Sequence, residues 1–225
     1  MRSKSDLTGQ ETGRTFTETA RRAQIMAAAI DTIAETGYGQ ASLARIAETA
    51  GTSKGVICYH FDGKDELVRE VVAELVTRGG AYMSPRIEAE FTGPGMLRAY
   101  IESNLAFLRE NRNHVVATVE IVLNARGADG RRLFDTGPGA GVAALQGLLA
   151  HFQDTGEFRA GFDPFVLAMA IRAAIDSVAH QFASNPELDV SRHASELGDL
   201  FVRATRPEGI RMPANNGQGQ SEEER

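Results

Sequence analysis

A chain of 225 residues with 42% apolar and 24% charged side chains has the make-up of a folded globular protein, not of a disordered or fibrous one. Its 24 Lys and Arg against 30 Asp and Glu leave a formal charge of −6, which on a whole-chain count argues against a generic polyanion binder. The single cysteine, Cys58, excludes an internal disulfide or a cysteine-based zinc cluster and suits a reducing compartment. Residues 1–16 are polar and read as a flexible arm. A first helix is expected from about Thr17 to Glu35, with Ile25, Ala28, Ala29 and Ile33 on one face and Gly37 as its stop. Ser42 is placed to cap a short helix that turns Leu43, Ile46 and Ala47 inward. Gly51 breaks it, and Ser53 can cap the next, Lys54 to Phe61. Gly63 opens a fourth helix, 64–80, whose first turn carries Asp65 and Glu66, the sign its dipole favours.

Further helices are expected near 94–110, 113–126, 138–154, 163–184 and 189–205, the eighth opening on Asp163-Pro164. The tail 207–225, ending in Ser221-Glu222-Glu223-Glu224, has little to bury and reads as disordered. Nowhere does an alternating Val/Ile/Thr stretch run past five residues, so the fold expected is all-α with about nine helices. No apolar run reaches 18 residues; the longest candidate, Phe165 to Ile175, is interrupted by Arg172. The first residues lack the apolar core of a signal peptide. A soluble, cytoplasmic chain without a membrane partner is therefore expected.

Two sequence motifs of enzymes occur without their context. Gly51-Thr52-Ser53-Lys54-Gly55 spells the G-x-S-x-G nucleophile elbow, but that elbow needs a preceding strand, and an Ala- and Glu-rich helix precedes it here. Gly139-Ala140-Gly141-Val142-Ala143-Ala144 spells G-x-G-x-x-A after a segment, Arg131 to Asp135, that is no buried strand; a glycine-rich helix start explains it better. His114, His151, His180 and His193 are scattered without ligand spacing. No catalytic constellation, cofactor or metal site is expected.

Two short helices joined by Ala50-Gly51-Thr52-Ser53 meet the needs of a helix-turn-helix: small or apolar residues at the crossing, a turn residue tolerant of positive φ, and a cap that restarts the chain. The stretch from Leu43 through Ser53-Lys54-Gly55 to Tyr59-His60-Phe61, with Ile25 to Ile30 and Gly37-Tyr38 before it and Lys64-Asp65-Glu66-Leu67 after it, resembles the N-terminal domain of the TetR family of bacterial transcriptional repressors. The likeness covers roughly residues 17–70; beyond them only helix count and order agree with the family.

The resemblance implies a three-helix helix-turn-helix DNA-binding domain over 17–63 and a helical effector-binding and dimerisation domain over 64–206. It implies that the helix from Ser53 enters the major groove of double-stranded DNA. Lys54 would donate to guanine or phosphate, Gly55 would let the backbone approach, and Val56 would meet a thymine methyl. Tyr59, His60 and Lys64 would hold phosphates, with Ser42 and Thr52 adding hydroxyls and helix-start amides. Cys58 stands where the family often has an aromatic residue. It is read as a small space-filler, with a redox role as the alternative. Arg21 and Arg22 are read as solvated charges and left out of the site.

Stripes at helical spacing mark the last two helices: Ala168, Ile171, Ile175, Val178, Ala179 and Phe182 on one, and Val190, Ala194, Leu197 and Phe201 on the other. Either they face their own subunit's core or they pair two subunits; the resemblance favours a homodimer on a palindromic operator. By the same analogy a small-molecule effector, lipophilic or amphipathic, would lie among Tyr100, Asn104, Phe107, Thr118, Asn124, Phe134, Met169, Arg172 and Asp176. The function this implies is a sequence-specific regulator, in first place a repressor released by its effector; an activator or a nucleoid-associated regulator is the alternative among DNA binders. Charge divides along the chain. Residues 1–61 hold seven Lys/Arg against six Asp/Glu, and residues 62–225 hold 17 against 24, so the acidity belongs to the body.

Overall fold

The structure, a computed structural model, describes residues 16–134 and 139–207, with nothing said of the side chains of Phe16 and Ala140. The arm and tail read from the sequence lie outside these residues, apart from their innermost positions. Among the described residues are nine helices: α1 (Phe16–Thr36), α2 (Leu43–Thr49), α3 (Lys54–His60), α4 (Gly63–Glu88), α5 (Gly93–Glu110), α6 (Arg112–Asn124), α7 (Ala140–Asp154), α8 (Pro164–Ser184) and α9 (Val190–Thr205). There is no strand among them, only an isolated bridge between Arg126 and Arg132. The all-α expectation is met.

The helix stops follow from local chemistry. At the end of α1 the chain turns left-handed at Gly37 (φ +78°), whose N–H donates to the Ile33 carbonyl at 2.9 Å. Thr92, Asp163 and Asp189 cap α5, α8 and α9 by accepting from first-turn amides. The fourth helix corrects the sequence reading, since it runs on to Glu88 rather than ending near 80. Gly79-Gly80 reads as a stop in sequence, but Gly79 is where α4 passes close to α5: a Cβ there would stand 3.3 Å from the Phe107 ring. Pro85 falls in the last turn of the helix.

Two apolar clusters organise the packing. The first joins Ile25, Ala29 and Ile33 of α1, Ile46 of α2, Ile57 and Phe61 around α3, and Leu67, Val68 and Val71 of α4. It is completed by Ala117, Ile121 and Ala125 from α6 and its end. Packing therefore continues past residue 63, and the N-terminal helices borrow part of their core from the body. His114 of α6 adds a polar tie: its Nε2 lies 2.8 Å from the Val71 carbonyl of α4, and burial pushes its pKa below the usual histidine value.

The second cluster holds Leu97, Ile101 and Leu105 of α5 and Leu145, Leu149 and Phe152 of α7. Ala168, Ile171, Ile175, Val178 and Phe182 of α8 and Val190 and Ala194 of α9 also belong to it, with Leu197 and Phe201 packed partly against it. This corrects the expected dimer stripes. An amphipathic helix turns its most continuous apolar stripe to the nearest apolar surface, and here that surface is the subunit's own α5 and α7. The half-buried Ala179 flanks the stripe. The outward face of α8 instead carries Phe165, Val166, Met169, Ala170 and Ala173. Apolar on both faces, α8 has the length and composition to cross a bilayer, although its inner stripe is spent on this core.

Because Ile121 is fully buried in the N-terminal cluster, Ile121→Ala should cost about 2–4 kcal/mol of stability, read as a shift of the urea midpoint at unchanged slope. A loss under about 0.5 kcal/mol would show that α6 is not part of that core.

Candidate nucleic-acid interface

Two serines and one glycine set the angle between α2 and α3. Ser42 lies in extended backbone, and its Oγ accepts from the Arg45 amide at 3.2 Å. After α2, Gly51 takes φ +61° and the Thr52 N–H donates back to the Ala47 carbonyl at 2.9 Å, which reverses the chain. Ser53, extended again, caps α3 through its Oγ and the Val56 amide at 3.3 Å. Ile57, fully buried, then pins the inner side of α3 to the cluster. A seven-residue helix with one side so fixed has its other side turned to solvent.

That outer side mixes polar and small side chains. Lys54, Gly55, Cys58 and Tyr59 are exposed, and His60 and Val56 are half-buried. Tyr59 is 79% exposed, its ring edge-on to His60 with centroids 5.1 Å apart. A Cβ on Gly55 would meet nothing nearer than Ser53 Oγ at 3.7 Å, so folding does not require glycine there. Ser42 is exposed at the start of α2, and Thr52 is half-buried in the turn. Arg45, which the sequence reading left out, is exposed one turn along α2.

Three contacts hold this surface to the rest of the chain. Arg22 of α1 is only 6% exposed, which corrects its reading as a solvated charge. It donates to the His60 carbonyl at the end of α3, pairs with Glu70 and, at 3.6 Å, with Glu66 of α4, and lies 4.0 Å over the Phe61 ring. The signal was available: position 22 precedes Ile25, Ala29 and Ile33 at spacings of three, seven and eleven, and so lies on the buried face of α1. Lys64 at the start of α4 donates to the Tyr38 carbonyl at 2.6 Å and stands 3.8 Å over its ring. Partial burial lowers the Lys64 pKa, against a smaller opposing pull from Asp65. On the other side of the same residue, the Tyr38 amide donates to Glu120 of α6 at 3.2 Å.

The residues expected around an effector do not converge on one cavity. Tyr100, Arg172 and Asp176 form one group: Arg172 donates to the Asp176 carboxylate at 2.7 Å and reaches the Tyr100 hydroxyl at 3.5 Å. Asn104 and Phe107 are buried on α5, the latter against Gly79 and Tyr82 of α4. Thr118 Oγ1 is buried on α6 without a hydrogen-bond partner. Asn124 is exposed and bonded to Glu120, Phe134 packs partly against the N-terminal cluster, and Met169 lies on the outer face of α8. Two clefts of about 230 and 430 Å³ open elsewhere, and none of the nine residues lines either.

A left-handed glycine between two serine-capped helices, with the second helix bare on its outer side, makes a helix-turn-helix. Residues 25–71 match the profile of the bacterial regulatory proteins of the tetR family. The chain is 24% identical over 180 residues to the fatty acid metabolism regulator protein of Bacillus subtilis, spanning 80% of this chain and 92% of that one. It is 34% identical over 85 residues to the HTH-type transcriptional regulator BetI 1 of Chromohalobacter salexigens, a match to 37% of this chain and 42% of the relative. The solved structure of the transcriptional regulator FadR from Bacillus subtilis in complex with stearoyl-CoA superposes with a TM-score of 0.69 at 23% identity, over 80% of this chain and 97% of that one. Over residues 25–71 the chain carries the N-terminal domain of tetR-family regulatory proteins, and over 80% of its length it is similar to a transcriptional regulator of known structure.

Since nothing inside the protein requires Gly55, Gly55→Ala should leave the melting temperature unchanged or raise stability by up to about 1 kcal/mol. A fall in the melting temperature would show that the glycine serves the fold.

Proposed function

We propose that the chain is a repressor that binds a palindromic operator as a homodimer and releases it when a lipophilic or amphipathic small molecule enters the helical body. The observation that carries the DNA-binding face is the bare outer side of α3, with Tyr59 79% exposed on a helix otherwise locked by its caps and by Arg22. Lys54 at the first position of α3 reaches a guanine edge or a phosphate, and Val56 meets a thymine methyl. Gly55, which the fold does not require, leaves room for the DNA backbone. Tyr59, His60 and Lys64 hold phosphates, joined by Ser42 and Thr52. Lys64 gives one donor to Tyr38 and keeps its other ammonium hydrogens for this contact.

Specific recognition by so small a reader needs two copies, and a two-fold dimer pairs one surface with itself. The surface for this is the outward face of α8 with Val166, Met169, Ala170 and Ala173. The small alanines there permit close helix approach. This replaces the inward stripes read from the sequence.

For the effector, the Bacillus subtilis relative is a fatty acid metabolism regulator, and its solved structure holds stearoyl-CoA. The body offers a matching chemistry, with Tyr100, Asn104 and Arg172 set among buried aliphatic and aromatic side chains. A long-chain acyl compound is the class to test first. Helix α4 carries Lys64 and Glu70 at the reader and Gly79 and Tyr82 against α5, so a ligand that displaces α5 shifts the reader as well. A coupling of about 1–3 kcal/mol changes DNA affinity five- to 150-fold. The protein acts in the cytoplasm and as a regulator rather than as an enzyme, in line with its relatives.

The test is binding to DNA from the promoter region of its own gene, by fluorescence anisotropy. Lys54→Ala combined with Tyr59→Ala should weaken binding at least about tenfold while the melting temperature stays put. Unchanged affinity would overturn the assignment of α3.

A further inference from the structure

The chain that leaves α6 folds back on itself as a small hairpin, and the reading of α3 makes no use of it. Arg126 and Arg132 form an antiparallel bridge. Beside it the Leu133 amide donates to the Ala125 carbonyl at 3.1 Å, and the Gly127 amide to the Arg131 carbonyl at 2.9 Å. The tip turns at Gly130, with φ +76°, and Asp129 Oδ1 accepts from the Arg131 amide at 3.0 Å. Main-chain bonds and one aspartate thus build the hairpin, and they leave Arg126, Arg131 and Arg132 exposed upon it.

Both feet of the hairpin stand on the reader. Ala125 is fully buried in the N-terminal cluster, and Leu133 packs partly against it. Arg69 of α4 donates to the Leu133 carbonyl at 3.4 Å, with its guanidinium 5.9 Å from the Phe134 ring. Helices α4 and α6 run in opposite directions here. His114 meets Val71, while Glu120, further along α6, meets the amide of Tyr38, whose carbonyl accepts from Lys64. Ala125 lies another five residues on, about 7 Å along the helix axis. The hairpin therefore leaves the body at the end of α4 that begins with Lys64 and follows α3.

Its charge is concentrated. Over residues 126–132 three arginines stand against the one acid, Asp129, although acids outnumber bases 24 to 17 over residues 62–225. Asp129 meets Arg131 only at 3.9 Å, between side chains 64% and 88% exposed, and such a pair holds little in solvent. Among the neighbouring acids, Glu120 is engaged by Tyr38 and Asn124, and Glu66 and Glu70 by Arg22. Asp62 and Asp65 are exposed at the start of α4, beside Lys64 and Arg69 of the same helix. Arg126 turns back to the Leu123 and Ala125 carbonyls at 2.9 and 3.0 Å, which makes Arg131 and Arg132 the outward pair.

We propose that this hairpin is a second DNA-contacting element, whose Arg131 and Arg132 hold backbone phosphates of the operator beyond those held by α3 and Lys64. The proposal rests on the reading of α3 as the helix that faces DNA. A guanidinium gives a phosphate two parallel N–H bonds, and the bridge and the buried Ala125 fix where the two are presented. Contacts to phosphate carry no sequence information, so the hairpin adds affinity and leaves the base preference to α3. It supplies positive charge to a reader whose first 61 residues are close to neutral, with seven Lys/Arg against six Asp/Glu.

Fluorescence anisotropy of the full chain with its promoter duplex and with a scrambled duplex, over a series of salt concentrations, tests the assignment. Arg131→Gln combined with Arg132→Gln should weaken binding to both duplexes at least about threefold and keep the preference between them. The slope of log affinity against log salt should become shallower by about 1.8 per bound chain, the share of two phosphates. Arg86→Gln combined with Arg192→Gln removes the same charge from the far end of α4 and from α9, and should keep the wild-type affinity and slope. An unchanged slope in the hairpin variant overturns the proposal, as does equal loss in the Arg86 and Arg192 variant, or a lost preference for the promoter duplex. Those results leave the reading of α3 standing. Unchanged binding in Lys54→Ala with Tyr59→Ala removes that reading, and the proposal with it.

Discussion

The guanidinium of Arg22 sits where three helices meet. It is fixed by a backbone carbonyl at the end of α3, by two carboxylates of α4 and by the face of Phe61. A buried charge of this kind tolerates little change, because loss of one partner leaves the others uncompensated at a cost of about 3–5 kcal/mol. The position of α3 therefore depends on α1 and α4 keeping their spacing. A seven-residue helix has almost no stability of its own, and its orientation is borrowed from this contact, from Ile57 beneath it and from the serine cap at its start.

The same dependence carries information the other way. The Tyr38 backbone is gripped on its amide by Glu120 of α6 and on its carbonyl by Lys64 of α4, so the turn before α2 registers movements of the body through two independent hydrogen bonds. Ile121 and Ala125 place the end of α6 in the reader's own core. The DNA-binding helices and the body are thus not independent units on a linker. Gly79, where Phe107 approaches, and Glu66 and Glu70, which hold Arg22, lie on this one helix, α4.

Much of the fold was legible in the sequence, and for local reasons. Ser42, Gly51 and Ser53 specify the turn through side-chain caps and one positive φ, which are properties of single residues. Where legibility failed, the deciding fact lay across the fold. The fourth helix, expected over 64–80, runs on past Gly79-Gly80, where Phe107 packs against it. The stripes of α8 and α9 are equally compatible with a core or an interface, and only the position of α5 and α7 assigns them inward. Arg22 reads as a solvated charge by residue type, while its spacing from Ile25 places it on the buried face of α1. The effector residues read from the sequence are polar or aromatic groups on apolar segments, and that pattern does not separate a buried group such as Tyr100 from a surface pair such as Asn124 and Glu120.

Operator recognition therefore depends on Arg22, a guanidinium only 6% exposed. That dependence is tested most directly by comparing the wild type with Arg22→Gln in binding to the chain's own promoter DNA, at a temperature where circular dichroism shows both fully folded. At least a tenfold loss of affinity is expected, with native helicity retained. Equal affinity in the folded variant would contradict it.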